Sequence, residues 1–289
     1  MKNKTIAGIR RGNKFSPNHV GNDAAIFSLT VQHLQAFGCT VHEYIESDLQ
    51  MREIPEAAVF GMARSKQAVR RLRQLEQEGR TVVNSAVGIG NCIRGEMTRL
   101  LTGNGIPHPE SLIFRTGENP VGALEEAGFR NGWVKRGDSH AVHREDVTYV
   151  RDPEEAHTIL KEFALRNIPD AVINKHLTGD LIKFYGVRDS GFFYWFYPSD
   201  IHHSKFGWEQ INGTARGIPF DPTALEALCD RAAGVLNVHI YGGDCIVSED
   251  GDIRIIDFND WPSFAPCRET AAKHIAECIW NVTGFAENR

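Results

Sequence analysis

The sequence predicts an α/β protein that opens with a parallel α/β unit and closes with antiparallel hairpins. Three observations carry this. Strand-like and helix-like stretches alternate through the first 85 residues, the pattern of an open parallel sheet. Turn signals then punctuate long apolar runs, at Asp189-Ser190-Gly191 and at Asp250-Gly251, where hairpins are expected. Hydrophobic residues make up 42% of the 289, enough for a sizeable core and too many for a disordered chain.

In order, KTIAGIRR reads as a strand and Asp23 to Phe37 as a helix, capped by Asn22 or Asp23 and stopped by Gly38. CTVHEYIES and AAVFGMA follow as strands. Ser65 caps a charged helix that runs to Glu78 and stops at Gly79; its AVRRLRQLEQEG stretch predicts a solvated face. TVVNS is the next strand, and residues 91–102 form one helix closed by Gly103-Asn104-Gly105, with Pro107 and Pro109 beyond. SLIFRT and NGWVKRG are strands around a helix near residues 119–128. VTYVRD is a strand, and Asp152-Pro153 opens a helix. AVINKHL is a strand leading into the hairpin LIKFYGVRDSGFFYWFYPS. There Phe193, Trp195 and Tyr197 share one face and Phe192, Tyr194 and Phe196 the other, which predicts a central strand buried on both sides. Asp221-Pro222 caps a helix to about Leu236. The ribbon HIYGGDCIVSEDGDIRIIDFND and a helix from about Arg268 to Thr283 finish the chain.

Net charge is −5 and the sequence pI about 6.2, which argues against a dedicated nucleic-acid binder. No apolar window is long enough to span a membrane, and MKNKTIAGIRRGNK lacks a signal-peptide core. The six cysteines form no CxxC pair, so free thiols and a cytoplasmic location are expected. No HExxH or similar zinc spacing occurs among the twelve histidines, and the adjacent His202 and His203 would point to opposite faces of a strand. Self-association is left open.

The last ribbon is unusual. Along IRIIDFND, strict alternation puts Ile253 and Ile255 on one face and carries Asp257 and Asn259 onto that same face. With Asp250-Gly251 as a two-residue turn, Asp244 stands directly opposite Asp257. Like charges facing across a ladder destabilise it. A cation between them removes the conflict, and carboxylate plus amide oxygens suit Mg²⁺. The other reading is a solvated pair, since Asp and Asn near strand ends also form turns.

Asp244, followed by Asp257-Phe258-Asn259-Asp260-Trp261-Pro262, resembles the closing motif of the ATP-grasp superfamily. The resemblance spans roughly residues 84–289, is carried by the order and spacing of several motifs, and is nearest to ribosomal-protein glutamate ligase and glutathione-synthetase-like members. It implies an N-terminal open parallel α/β domain (1–85), a small α+β lobe with a linker helix (86–175) and a large α+β lobe with the metal hairpin (176–289), ATP being held between the lobes. By the same resemblance Asp244, Asp257 and Asn259 bind Mg²⁺ or Mn²⁺, and Arg94 and Lys135 contact phosphates. Asn174 to Leu177, including Lys175 and His176, read the adenine. Asp180 takes a ribose hydroxyl, and Lys183 approaches the γ phosphate. The sequence departs from the family at Ser263, where glycine is usual, and in the single-glycine loop KRGDSHAVHRED. Ser139-His140 in that loop is similar to the inositol-phosphate kinase branch.

Such a site performs γ-phosphoryl transfer. The family default is ligation of a carboxylate to an amine or thiol through an acylphosphate, with Arg94, Lys135 and Lys183 stabilising the moving charge; Lys183 and Arg216 are the expected catalytic residues, the Arg216 fork suiting a carboxylate or phosphate. The expected acceptor, a small molecule or peptide, would meet Arg11, Ser16, His19, Arg64, His140 or Arg216, because loops after parallel strands face the ligand crevice. A small-molecule kinase and a non-catalytic nucleotide-binding module are the alternatives.

Overall fold

The computed structural model describes residues 4–16, 19–199 and 211–285; His202 and His203 lie outside them. The alternation at the start produces a four-stranded sheet of β1 (Thr5–Arg10), β2 (Thr40–Ile45), β3 (Ala58–Gly61) and β4 (Thr81–Val83). All pairs are parallel, in the order β2-β1-β3-β4. Helix α1 (Val20–Ala36), the short α2 (Asp48–Met51) and α3 (Lys66–Gln77) connect them. Ile6 faces the core shared with α1, while Ala7 and Ile9 face the core under α3; burial of both faces explains the continuous apolar run of β1. Ser65 caps α3 as read, its hydroxyl accepting from Ala68 N at 3.1 Å.

The middle of the chain forms an antiparallel sheet from β5 (Ser111–Arg115), β6 (Gly132–Arg136), β7 (Val147–Val150) and β8 (Asp170–Lys175), in the order β5-β8-β6-β7. Two helices, Val121–Glu126 and Pro153–Leu165, cover one face through Leu124, Leu160 and Phe163. The third sheet is also antiparallel. It holds β9 (Asp180–Val187), β10 (Phe192–Phe196), β11 (Ile240–Val247) and β12 (Ile253–Asp260), in the order β10-β9-β11-β12. Residues of the helices Arg94–Gly103 and Pro222–Leu236 pack under its apolar face. The last helix, Arg268–Val282, packs between this sheet and α1 in one continuous core.

Three sequence expectations change, and one short element is new. Helix α1 starts at Val20 with His19 as its cap residue; Asp23 lies inside the helix and accepts from Arg11 Nη1 at 2.9 Å and Ser16 Oγ at 2.5 Å. The single helix expected at 91–102 is two, Ala86–Asn91 and Arg94–Gly103, because Ile93 is extended (φ −66, ψ 130). That break puts Arg94 on the first turn of a new helix, pointed at the third sheet. Strand β10 lies at a sheet edge, yet Phe192 and Phe196 join one core and Phe193, Trp195 and Tyr197 pack on the other. Helices on both faces of the sheet bury this edge strand, so its composition imitates a central one. The four-residue α2 carries no periodic signal and went unread.

Candidate functional site

The end of β12 explains the carboxylates of the final ribbon. Val247 pairs with Ile253 and Cys245 with Ile255, so the turn is one residue wider than a two-residue loop, and Gly251 takes φ +82. The ladder then shifts, Asp244 pairs with Asp257, and Ile256 has no partner on β11. The wider turn and the bulge cancel, which restores the opposition expected from the simpler register. The face assignment does not survive. Ile255 and Phe258 are fully buried in the core beneath the sheet, whereas Ile256, Asp257 and Asn259 line a cavity on the other side. A bulge re-aims side chains in this way. Ile255 and Asp257 therefore occupy opposite faces.

Neighbouring strands complete a row of charge. Lys183 on β9 stands opposite Asp244 on β11, which stands opposite Asp257 on β12. Lys183 Nζ donates to Asp244 Oδ1 at 3.0 Å. Arg94 Nη2 lies 3.2 and 3.1 Å from the two Asp257 oxygens. Each carboxylate thus has a cation of its own, so their opposition alone does not require a metal. Burial pushes the Asp257 carboxyl up, but the Arg94 and Lys135 charges outweigh it and hold it at about 2. Lys135 reaches over from β6 and donates to Ile256 O at 3.0 Å; burial, with Arg94 second, pushes its ammonium down to about 8.

β11 runs Gly242-Gly243 before Asp244. A Cβ on Gly243 would sit 2.2 Å from Asp257 O, so only glycine allows the two strands this close approach. After Asp260 the chain leaves the sheet at Trp261, which takes φ +32 and packs fully buried against Phe60 at 6.0 Å. Pro262 and Ser263 then join the cavity wall.

The cavity brings together most residues chosen from sequence: Arg11, Ser16, His19, Arg64, Arg94, Lys135, His140, Lys175, Leu177, Lys183, Asp244, Asp257 and Asn259. Three others do not line it. Arg216 points outward and pairs with Glu249 at 2.8 Å. Asp180 is buried and accepts backbone N–H bonds from Arg216 and Ile218, each at 2.8 Å; both of its oxygens anchor that loop. His176 accepts from Trp133 Nε1 at 3.1 Å behind the wall. Arg11 and Arg64 are spoken for as well. Arg11 donates to Asp23, Met62 O and Trp261 O. Arg64 Nη2 donates to Asp260 O at 3.0 Å and lies 3.6 Å from its carboxylate.

No protein-family model and no curated protein matches the chain. Solved structures do. The D-alanine–D-alanine ligase of Bacillus anthracis complexed with ATP superposes with a TM-score of 0.67 and 14% identity over 99% of this chain and 100% of that one. A RimK domain protein, ATP-grasp, of Sphaerobacter thermophilus superposes with a TM-score of 0.67 and 16% identity over 95% and 99%. The ATP-grasp ligase PsnB, complexed with a precursor peptide and AMPPNP, gives 0.62 and 15% over 97% and 98%. The chain has the ATP-grasp fold. Its cavity lies where the antiparallel sheets of that fold meet the parallel one, with walls from β6, β8, β9, β11 and β12 and from the loop after β1.

Two carboxylates, Asp23 in the cavity wall and Asp260 buried behind it, have no site role in the sequence pattern. Asp23 was assigned to a helix cap. Asp260 is buried between Arg64 and His140, whose Nε2 lies 3.2 Å from Asp260 Oδ1. Burial opposes its ionisation, but Arg64 and His140 hold its carboxyl far below the usual carboxylate range. Asn174, the first residue of the segment expected to read the adenine, does line the wall, and its side chain donates to Ser111 Oγ at 2.7 Å. The doubled glycine before Asp244 was a usable signal, because glycine inside a strand marks close backbone approach. Asp260 offered none, since its partners come from loops more than a hundred residues away.

Two buried histidines, His140 in the cavity wall and His108 behind it, set an acid limit. Burial first, and the Arg64 charge second, push His140 down to about 4; burial and Lys135 push His108 down to about 4. Their folded values lie below the unfolded value near 6.5. The unfolded chain therefore takes up protons first as pH falls. Stability is expected to be flat above about pH 7 and to drop between about 6.5 and 4, by on the order of 2–3 kcal/mol per histidine. Urea midpoints of the wild type and His140→Gln across this range check it; the variant should lose roughly half of the slope.

Among the described residues no helix is long and apolar enough to cross a membrane. All six cysteines are free.

Proposed function

We propose that the chain is an ATP-dependent ligase that joins a carboxylate to an amine or thiol through an acylphosphate, with Mg²⁺ or Mn²⁺ as its metal. The observation that carries this reading is the row Lys183, Asp244, Asp257 on one sheet face, bracketed by Arg94 and Lys135 inside a single cavity. Residues 1–85 supply the acceptor wall in this reading, 86–175 the small lobe and 176–289 the large lobe. The apolar rim of Trp133, Val147, Leu177, Leu181 and Ile246 suits a purine.

The donors fit the metal. Two carboxylates and the Asn259 amide are oxygen ligands, and both carboxylates already hold a cationic side chain. This leaves few protein oxygens, as befits an ion that takes its other ligands from phosphate and water. When bound at Asp244, Asp257 and Asn259, the ion neutralises phosphate charge as a Lewis acid. Arg94, Lys135 and Lys183 place three cations around the same phosphates and stabilise charge as it moves. An oxygen of the acid attacks the γ phosphorus and the bond to ADP breaks. The amine nitrogen then attacks the acyl carbon, phosphate departs with the bonding pair, and the amine proton goes to solvent.

The acceptor end favours a ligase over the polyphosphate kinase alternative. Arg11 is neutralised by Asp23 and Arg64 by Asp260, and burial keeps His140 neutral. A polyphosphate acceptor needs uncompensated positive charge, and these cations are compensated. The test is incubation with ATP, Mg²⁺ and pooled amino acids and dipeptides. Phosphate release that requires both an acid and an amine is expected. A phosphorylated alcohol from a polyol pool would support the kinase, and absence of any metal-dependent turnover the non-catalytic module.

A further inference from the structure

The bulge at Ile256 makes the candidate metal site, because it turns Asp257 out of the apolar face. A bulge leaves ladder groups unpaired and needs support. β12 is an edge strand, with β11 on one side only. On its open side the chain segment between the helix Arg94–Gly103 and β5 serves instead. Ile255 N donates to Pro107 O at 3.0 Å. His108 Nδ1 donates to Ile255 O at 2.6 Å, and Lys135 donates to Ile256 O at 3.0 Å. The two carbonyls flanking the bulge are thus both held by side chains from outside the third sheet. The acceptor being a carbonyl, His108 carries its proton on Nδ1, and burial, with the Lys135 charge second, pushes the ring's pKa down to about 4, which leaves it neutral near pH 7. His108 does not itself line the cavity. Its one side-chain hydrogen bond among the described residues ends two residues before Asp257, so its influence on the site runs through the backbone.

We propose that His108 is a positioning residue for the divalent cation: its bond to Ile255 O fixes the bulge that presents Asp257, and so sets metal affinity. This rests on the metal reading above. Of the two carbonyl donors, Lys135 is expected to turn to phosphate when nucleotide binds, which leaves His108 as the side chain that keeps the bulge in the loaded protein. Outer partners of a metal ligand typically change metal affinity by about ten- to a hundredfold, and His108 should fall at the lower end because it acts through the backbone from Ile255 to Asp257.

The experiment measures Mn²⁺ binding by EPR to the full chain with AMPPNP, where no turnover occurs. Thermal midpoints and AMPPNP affinity without metal are recorded in parallel. His108→Asn puts an amide N–H near the position of Nδ1. His108→Gln keeps bulk and polarity but moves that N–H toward Nε2. The expected result is near wild-type Mn²⁺ affinity for His108→Asn and about tenfold weaker affinity for His108→Gln, with nucleotide affinity unchanged in both. Equal Mn²⁺ affinity in wild type and both folded variants overturns the proposal. So does a parallel loss of metal and nucleotide affinity in both variants, which marks a merely structural histidine. Failure of the wild type to bind Mn²⁺ with AMPPNP overturns the metal reading itself, and this inference with it.

Discussion

Asp257→Asn is expected to reduce metal-dependent ATP turnover by about a thousandfold or more. The substitution removes one of two carboxylates from the proposed metal site and leaves Arg94 and Lys135 without their shared counter-charge. Loss of a group that stabilises transferring phosphate typically costs on the order of 10²–10³, and a metal ligand is at least as costly. Stability should fall as well, because the Arg94 side chain is only 6% exposed and would keep a buried charge with a weaker acceptor. Breaking a buried pair costs about 3–5 kcal/mol; Asn still accepts a hydrogen bond, so the lower end applies. Initial rates of ADP formation and urea midpoints measure the two effects. The matched control is Arg216→Ala, in an exposed pair with Glu249, whose turnover should stay within about twofold of wild type because such pairs contribute little. A large loss in that variant would restore Arg216 to the site and count against the cavity as drawn.

Asn84→Leu, a change outside the cavity, is expected to cost about 2–4 kcal/mol of stability. Asn84 is 1% exposed. Its Oδ1 accepts from His239 N at 2.8 Å and Ile240 N at 2.9 Å, and its Nδ2 donates to Ile240 O at 2.7 Å. The side chain therefore completes the backbone at the start of β11 from just beyond β4. Leucine of similar size leaves the buried Ile240 N–H and the half-buried His239 N–H unpaired, at up to about 1–3 kcal/mol each. It also loosens the seam between the parallel sheet and the strand that carries Asp244. Denaturant titration should show a lower midpoint. A midpoint within experimental error of wild type would mean that water or a rearranged backbone replaces all three bonds.

Legibility in the sequence followed the range of each interaction. The parallel opening unit, the Ser65 cap, the Asp152-Pro153 and Asp221-Pro222 helix starts and the hairpin at Asp189-Ser190-Gly191 are set by neighbours a few residues apart, and all of them appear where the sequence puts them. The split at Cys92-Ile93 was not readable, because Gly95 N is drawn to Gly137 O at 3.0 Å across the fold. The motif that opposes Asp244 to Asp257 was readable as a pattern. Its register was reached through a turn and a strand that each differ by one residue from the assumed geometry.

Composition and local pattern by themselves determined the class of fold, the order of its elements and the string of charged residues on the closing ribbon, because propensity, capping and turn chemistry act within one element. The tertiary structure alone decided which face those charges occupy, which cations pair with Asp244 and Asp257 and which with Asp23 and Asp260. The physical reason is that a bulge, an ion pair or a clamp such as Asn84 gains its energy from groups that only folding brings within hydrogen-bond distance.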